Sequence, residues 1–196
     1  MSTEPRRGLR ERNRARTYAE ITEAALDLFE RQGFDSTTVD QIAAAADVSP
    51  ATFFRYFASK EDVLFADEDS SAADLVVAVA ARPNRSTSSV SALAEPLVAF
   101  AEAMPGPASP NSRRLTKLVM ATPSLASRSL RIRLHWERSV ATQLATEEGR
   151  STPTLQHTVV ASVAVSCLTS GLRHWPNSSP SALASMVREA FAYVTR

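Results

Sequence analysis

Apolar residues along the chain recur at steps of three and four, the period of one helix face, and no strand-like alternation competes. Ile21, Ala24, Ala25, Leu28 and Phe29 form the first such stripe, and Gly33 follows where a left-handed helix end belongs. Thr38-Val39-Asp40-Gln41 reads as a capping box, in which the threonine hydroxyl caps a helix and Gln41 reaches back to the cap. Ile42, Ala43 and Ala46 give that short helix its buried face. Ser49 is a second cap, with Pro50 at the first helical position, where its missing N–H costs nothing. Ser59 opens a fourth helix that runs towards Leu75–Val79, with Glu61 and Asp62 in its favourable first turn.

Three breaks follow: a Pro-, Asn- and Ser-rich stretch from Arg82 to Ser91, a proline cluster from Pro105 to Asn111, and a polar turn from Glu148 to Pro153 around Gly149. The pattern predicts helices over 91–104, 111–121, 124–148, 154–175 and 180–195, with Pro123 and Pro180 at helix starts. The chain is therefore expected to be all-α, with about nine helices. Leu183, Met186, Val187, Ala190, Phe191 and Val194 make a clean stripe on the last helix. The helix before it, with Leu155, Val159, Val160, Val163, Cys167, Leu168 and Leu172, is apolar on more than one face and needs cover on two sides.

Composition changes this picture little. Hydrophobic residues make up 44% and charged residues 22% of 196 residues, ordinary values for a soluble globular chain. Net charge is only +1, but between Arg6 and Arg16 lie six arginines (Arg6, Arg7, Arg10, Arg12, Arg14 and Arg16) against one acid, Glu11. Such a run is ordinarily a solvated tail unless a nucleic-acid-binding element follows it. Cys167 is the single cysteine, so neither an internal disulfide nor a cysteine-rich zinc site can form, and a cytoplasmic protein fits. The basic start has no apolar segment behind it, so no secretory signal is expected. Leu155 to Leu172 is too interrupted by hydroxyl and small residues to be read as a membrane span.

The two caps at Thr38 and Ser49 lie 11 residues apart, too close for two independently packed helices. The spacing suits a helix-turn-helix, whose first helix crosses the DNA backbone and whose second enters the major groove. Free N–H groups at both helix starts can hold phosphate oxygens. On the second helix Thr52, Arg55 and Tyr56 offer donors, and Ala51 is small enough to let the backbone approach.

These residues resemble the TetR family of repressors. The resemblance rests on Thr37-Thr38-Val39-x-x-Ile42-Ala43, then Val48-Ser49-x-x-Thr52-Phe53-Phe54-Arg55-Tyr56-Phe57-x-Ser59-Lys60-Glu61-Asp62-Val63-Leu64. Ala25-x-x-Leu28-Phe29-x-x-x-Gly33-Phe34 matches the first helix of that family. It implies a DNA-binding domain over 1–60, a helical effector-binding and dimerisation domain over 61–196, and a homodimeric, ligand-responsive repressor of a palindromic operator. An activator of the same fold is the alternative. By the resemblance Thr38, Tyr56 and Lys60 would contact phosphates, and Ser49, Pro50, Ala51, Thr52, Phe54 and Arg55 would face bases. Arg10 and its neighbours would form an arm that tracks phosphates or enters the minor groove. Two departures stand out. Asp47 replaces the usual turn glycine, which aspartate's tolerance of left-handed geometry accommodates. Phe54 replaces a common tyrosine, so it is either core, like Phe53 and Phe57, or an apolar contact for a thymine methyl.

The segment from Arg114 to Ala145 resembles the C-terminal domain of MftR-like regulators through Ala121-Thr122-Pro123-x-Leu125 and Trp136-Glu137, joined by Leu172-Arg173-x-Trp175 further on. It implies an acyl-CoA-like effector, with Phe100, Met104, Leu118 and Trp136 lining an apolar pocket. Arg128, Arg131 and Arg138 would meet phosphates, or else form a solvated basic face. In the family the last two helices pair with their symmetry mates as a four-helix bundle, which points to Val159, Val163, Leu183, Val187 and Phe191 as interface. A helical enzyme is the rival class. Cys167 and His174 lack a third group to orient them, His135 and Glu137 point apart on a helix, and no Gly-rich phosphate loop is present. Neither catalysis nor a cofactor is expected.

Overall fold

The structure, a computed structural model, describes residues 4–65, 68–85, 88–104, 110–179 and 182–196, apart from the side chains of 4–7, 9, 10, 68, 69 and 110. Among the described residues there are nine α-helices and no strand. They are α1 (Glu4–Gln32), α2 (Val39–Ala45), α3 (Pro50–Tyr56), α4 (Glu68–Ala80), α5 (Ala94–Ala103), α6 (Pro110–Ala121), α7 (Ala126–Glu147), α8 (Leu155–His174) and α9 (Leu183–Val194). The chain divides into two units, Met1–Ala66 and Asp67–Arg196.

In the first unit α1 packs on α2 and α2 on α3. Ile21, Ala25, Leu26 and Phe29 of α1, Ile42 and Ala43 of α2, Phe53 of α3, and Phe57 are all buried. Each side chain of Leu, Ile or Phe size withdrawn from water contributes about 1.5–3 kcal/mol, so a unit this small depends on every one. Gly33 ends α1 at φ 88°, and its N–H donates to the Phe29 carbonyl at 3.0 Å. Asp47 takes the left-handed conformation in the α2–α3 turn, at φ 53°.

The expected fourth helix does not begin at Ser59. Its hydroxyl instead accepts from the Asp62 N–H at 3.3 Å and donates to the Asp62 carboxylate at 2.9 Å, beside a short 3-10 turn, Glu61–Val63, that follows Lys60. The turn closes over buried Val63 and Leu64, and α4 starts separately at Glu68. The notion of one continuous helix from Ser59 to Val79 is therefore corrected. Two other boundaries are refined in the same way: 3-10 turns Ser91–Leu93 and Pro123–Leu125 lead into α5 and α7. Pro180 lies outside the described residues.

The second unit gathers α4, α5, α7, α8 and α9 around one core, which includes Leu75, Leu97, Phe100, Trp136, Leu144, Val165, Leu168, Trp175, Val187 and Phe191. Residues Leu155–Asn177 are long and apolar enough to cross a membrane by composition alone. Here Val160, Ala161, Ala164, Val165 and Leu168 are buried against neighbouring helices, the behaviour of a core helix. At one end Arg82, buried at the close of α4, pairs with Glu147 on α7, while Gln143 donates to the same carboxylate at 2.8 Å. Beside it Glu148 accepts from Ser88 at 2.6 Å and from His157 Nε2 at 2.9 Å. The Thr154 N–H donates to His157 Nδ1 at 3.1 Å, which leaves Nε2 to carry the ring proton. These hydrogen bonds, that from Ser88 first, hold the Glu148 carboxyl below its ordinary range.

Candidate nucleic-acid interface

The site is built on the two capped helices. Thr38 Oγ1 accepts from the Gln41 N–H at 3.2 Å, and Gln41 Oε1 accepts from the Thr38 N–H at 2.9 Å, completing the capping box. Ser49 Oγ accepts from the Thr52 N–H at 3.1 Å and lies 3.0 Å from Thr52 Oγ1. Both caps are exposed, so helix starts with positive dipole ends face solvent from both elements.

α3 is divided sharply between anchor and surface. Phe53 is completely buried and stacks on Phe57, which in turn meets Tyr18 of α1 with ring centres 4.9 Å apart. Pro50, Ala51, Phe54 and Arg55 are exposed, and Thr52 and Tyr56 are half-buried. Of the two readings of Phe54, the structure supports the surface one. The ring is 56% exposed and meets Phe53 edge-on at 5.6 Å. The Arg55 guanidinium lies 5.5 Å from the centre of the Tyr56 ring, which steadies a long side chain that otherwise has no described contact.

The N-terminal arginines are helical where the sequence suggested an arm. α1 reaches back to Glu4, and residues 11–16, including Arg12, Arg14 and Arg16, are exposed all round. Arg12 Nε donates to the Gly8 carbonyl at 3.2 Å, and Arg16 pairs loosely with Glu20 at 3.5 Å. The side chain of Arg10 lies outside the described residues.

Lys60 occupies a place that the sequence did not reveal. Its ammonium donates to the carbonyls of Phe34 and Thr37, both at 2.8 Å, and approaches that of Asp35 at 3.4 Å. It also stands 4.5 Å from the centre of the Phe34 ring. Gln32 joins the same turn, donating to Ser36, Thr37 and Gln41, while the Thr37 hydroxyl donates to the Gly33 carbonyl at 2.8 Å. Gln32 and Thr37 carry no signal of this role in one dimension, because their partners belong to a turn whose shape only folding supplies.

The residues expected around an effector are not brought together as a group. Phe100 and Trp136 are core residues, 5% and 6% exposed, stacked edge-to-face at 6.0 Å with the indole N–H donating to Ser71 at 3.1 Å. Met104 packs against the same core, Leu118 is half-buried outside it, and Arg131 is exposed. The interface expectation is corrected for three residues. Leu183, Val187 and Phe191 are at most 2% exposed, because this part of the α9 stripe fills the protomer's own core. Val159, by contrast, is 50% exposed and Val163 half-buried. Cys167 is buried, whereas His174 is exposed and its Nδ1 donates to the Ser170 carbonyl at 2.9 Å, so no described contact joins the two. Burial also raises the Cys167 thiol above its ordinary range. No cluster of metal-ligating side chains occurs among the described residues.

A capped helix pair with an anchored, outward-facing second helix, followed by a separate helical unit, defines a helix-turn-helix regulator. Residues 21–66 match the family described as bacterial regulatory proteins, tetR family, and residues 87–196 match the MftR C-terminal domain. The chain belongs to the TetR family of DNA-binding transcriptional regulators, with a C-terminal domain of the MftR type. It is 27% identical over 183 residues to MftR of Mycobacterium tuberculosis, described as a mycofactocin biosynthesis transcriptional regulator, covering 93% of this chain and 91% of that protein. It is 55% identical to the HTH-type transcriptional regulator TcmR of Streptomyces glaucescens over 56 residues, only 29% of this chain and 25% of TcmR. Among solved structures, Thermus thermophilus FadR in complex with lauroyl-CoA shares the fold, with a TM-score of 0.50, 21% identity, and coverage of 90% of this chain and 92% of that one. These relatives are transcriptional regulators.

Proposed function

We propose that this regulator is a cytoplasmic, ligand-responsive repressor that binds a palindromic operator as a homodimer. The observation that carries the reading is the outward face of α3, where Phe54 and Arg55 stand exposed beside the Ser49 cap while Phe53 and Phe57 fix the helix from behind. Thr38 and Tyr56 hold phosphates, and Ser49, Pro50, Ala51, Thr52, Phe54 and Arg55 meet base edges. Arg10 with Arg12, Arg14 and Arg16 extends the phosphate-binding surface.

One short recognition helix reads too few base pairs for useful specificity, so two copies are required. Leu155 and Val159 on α8 and Tyr193 and Val194 on α9 are large apolar side chains left exposed, which supports an interface on the outer faces of these helices, with Val163 at its edge. The effector is an acyl-CoA-like molecule. Support comes from the lauroyl-CoA bound by the FadR relative and from the exposed or half-buried Arg128, Arg131 and Arg138. An apolar chain would have to open the core near Phe100, Met104 and Trp136, with Leu118 beside its entrance. Release follows if the ligand binds the off-state better than the DNA-bound state, and linkage then requires DNA to weaken the ligand equally.

Selection of bound duplexes from a random pool tests the proposal. The expected product is an inverted repeat with half-sites about one helical turn apart. An absence of enrichment, or a lone half-site, overturns it. Lauroyl-CoA added to the selected complex is expected to release the protein, and retention rejects that effector class. A reporter downstream of the selected site separates repression from activation.

A further inference from the structure

We infer that Lys60 is a positioning residue for the recognition helix, and that it acts through the α1–α2 turn without neutralising a phosphate itself. The inference rests on the DNA-binding role proposed for α3 and deepens it. Lys60 follows α3 by four residues, yet its ammonium donates to carbonyls 23 and 26 residues earlier, those of Thr37 and Phe34, at 2.8 Å each. A third carbonyl, of Asp35, lies at 3.4 Å. An ammonium has three protons, and three carbonyl oxygens converge on it. The Phe34 ring, 4.5 Å away, faces the same charge. Reaching a phosphate would mean abandoning these contacts, which leaves the carbonyl of buried Thr37 without its described donor and that of buried Phe34 with only the Thr37 N–H.

The geometry also shows what the contact is for. The turn that Lys60 grips runs directly into Thr38, the cap of α2, while Lys60 itself sits just beyond α3. Gln32, Thr37 and Gln41 brace the turn from the α1 and α2 sides. Lys60 is thus a strut from the far end of the recognition helix to the near end of the supporting helix. Its loss leaves both helices formed, since each keeps its own cap, but frees the angle between them.

Lys60→Met and Lys60→Arg distinguish this role from the alternatives. The planar guanidinium keeps the charge and binds phosphate well, but its fork cannot converge on three carbonyls as a point ammonium does. Affinities are measured for a duplex selected by the parent protein and for an unrelated duplex of equal length, across a salt series and well below each variant's unfolding temperature. Both variants are expected to lose about tenfold on the selected duplex, the size of one lost base contact. Binding to the unrelated duplex and the salt slope should stay at parental values. If Lys60→Arg binds like the parent while Lys60→Met weakens both duplexes and lowers the salt slope by about 0.9 per contact, Lys60 is a phosphate ligand and the inference is overturned. Parental binding by both variants, with lower unfolding temperatures, would make Lys60 merely structural and overturns it equally. A parent protein that selects no duplex at all defeats the DNA-binding proposal instead.

Discussion

Adding one methyl group at Gly171 tests how closely the last two helices of the core approach. A Cβ built there sits 2.7 Å from Val187 Cγ2, 3.3 Å from the Val187 nitrogen and 3.5 Å from its Cα. Two effects oppose each other. Within a helix, alanine is favoured over glycine by about 1 kcal/mol. Overpacking a closed core costs about 1–3 kcal/mol. Val187 is fully buried, and a β-branched side chain on a helix has one strongly preferred rotamer, so Cγ2 cannot swing away cheaply. The backbone nitrogen behind it cannot move without displacing α9. The clash therefore outweighs the propensity gain, and Gly171→Ala is expected to destabilise by about 1–2 kcal/mol. Urea unfolding followed by circular dichroism measures this, at one protein concentration because association adds its own term. In a Val187→Ala background the side-chain clash is gone, and the same methyl should become neutral or stabilise by up to about 1 kcal/mol. A more stable Gly171→Ala chain, with no coupling in the double-mutant cycle, would refute the close approach.

Asp47→Gly is expected to stabilise the first unit by about 0.5–1 kcal/mol, since glycine takes φ 53° without the Cβ penalty; a lower thermal midpoint would contradict this. Val159→Asp should leave a folded protomer that sediments as a monomer, whereas Val187→Asp should unfold the core; a dimer unaffected by Val159→Asp moves the interface elsewhere. Glu148 has a folded-state pKa below its ordinary value, so its stabilising effect is complete above the carboxylate range and is lost as pH falls through the lowered value. The stability gap between the parent and Glu148→Gln should therefore narrow as pH falls through and below the ordinary carboxylate range, and a gap that widens there assigns the effect to another group.

What was legible in the sequence was what local chemistry decides. The caps at Thr38 and Ser49 and the left-handed ends at Gly33 and Asp47 depend on neighbours a few residues away, and each formed where the pattern put it. The α9 stripe was legible as apolar, but periodicity says only that a face is covered, never by what. Leu183, Val187 and Phe191 are covered from within the protomer. Ser59 misled for a related reason: a cap and two acids signal a helical start, but burial of Val63 and Leu64 ends it after one 3-10 turn. Lys60 was illegible in principle, because its three carbonyl partners lie more than 20 residues away and bear no sequence signature. Phe54 needed the fold as well, since an aromatic beside Phe53 and Phe57 reads as core until the helix is given a direction.

The central claim is that the outer face of α3 reads DNA sequence. It is tested most directly by removing that face while sparing its anchors, with Phe54→Ala and Arg55→Ala combined. The measurement is the ratio of affinities for a parent-selected duplex and an unrelated one at fixed salt. Each lost base contact is worth about 1–3 kcal/mol, so the ratio is expected to fall at least tenfold (about 1.4 kcal/mol), while binding to the unrelated duplex holds. A ratio that survives the double substitution would mean that sequence is read elsewhere on the molecule.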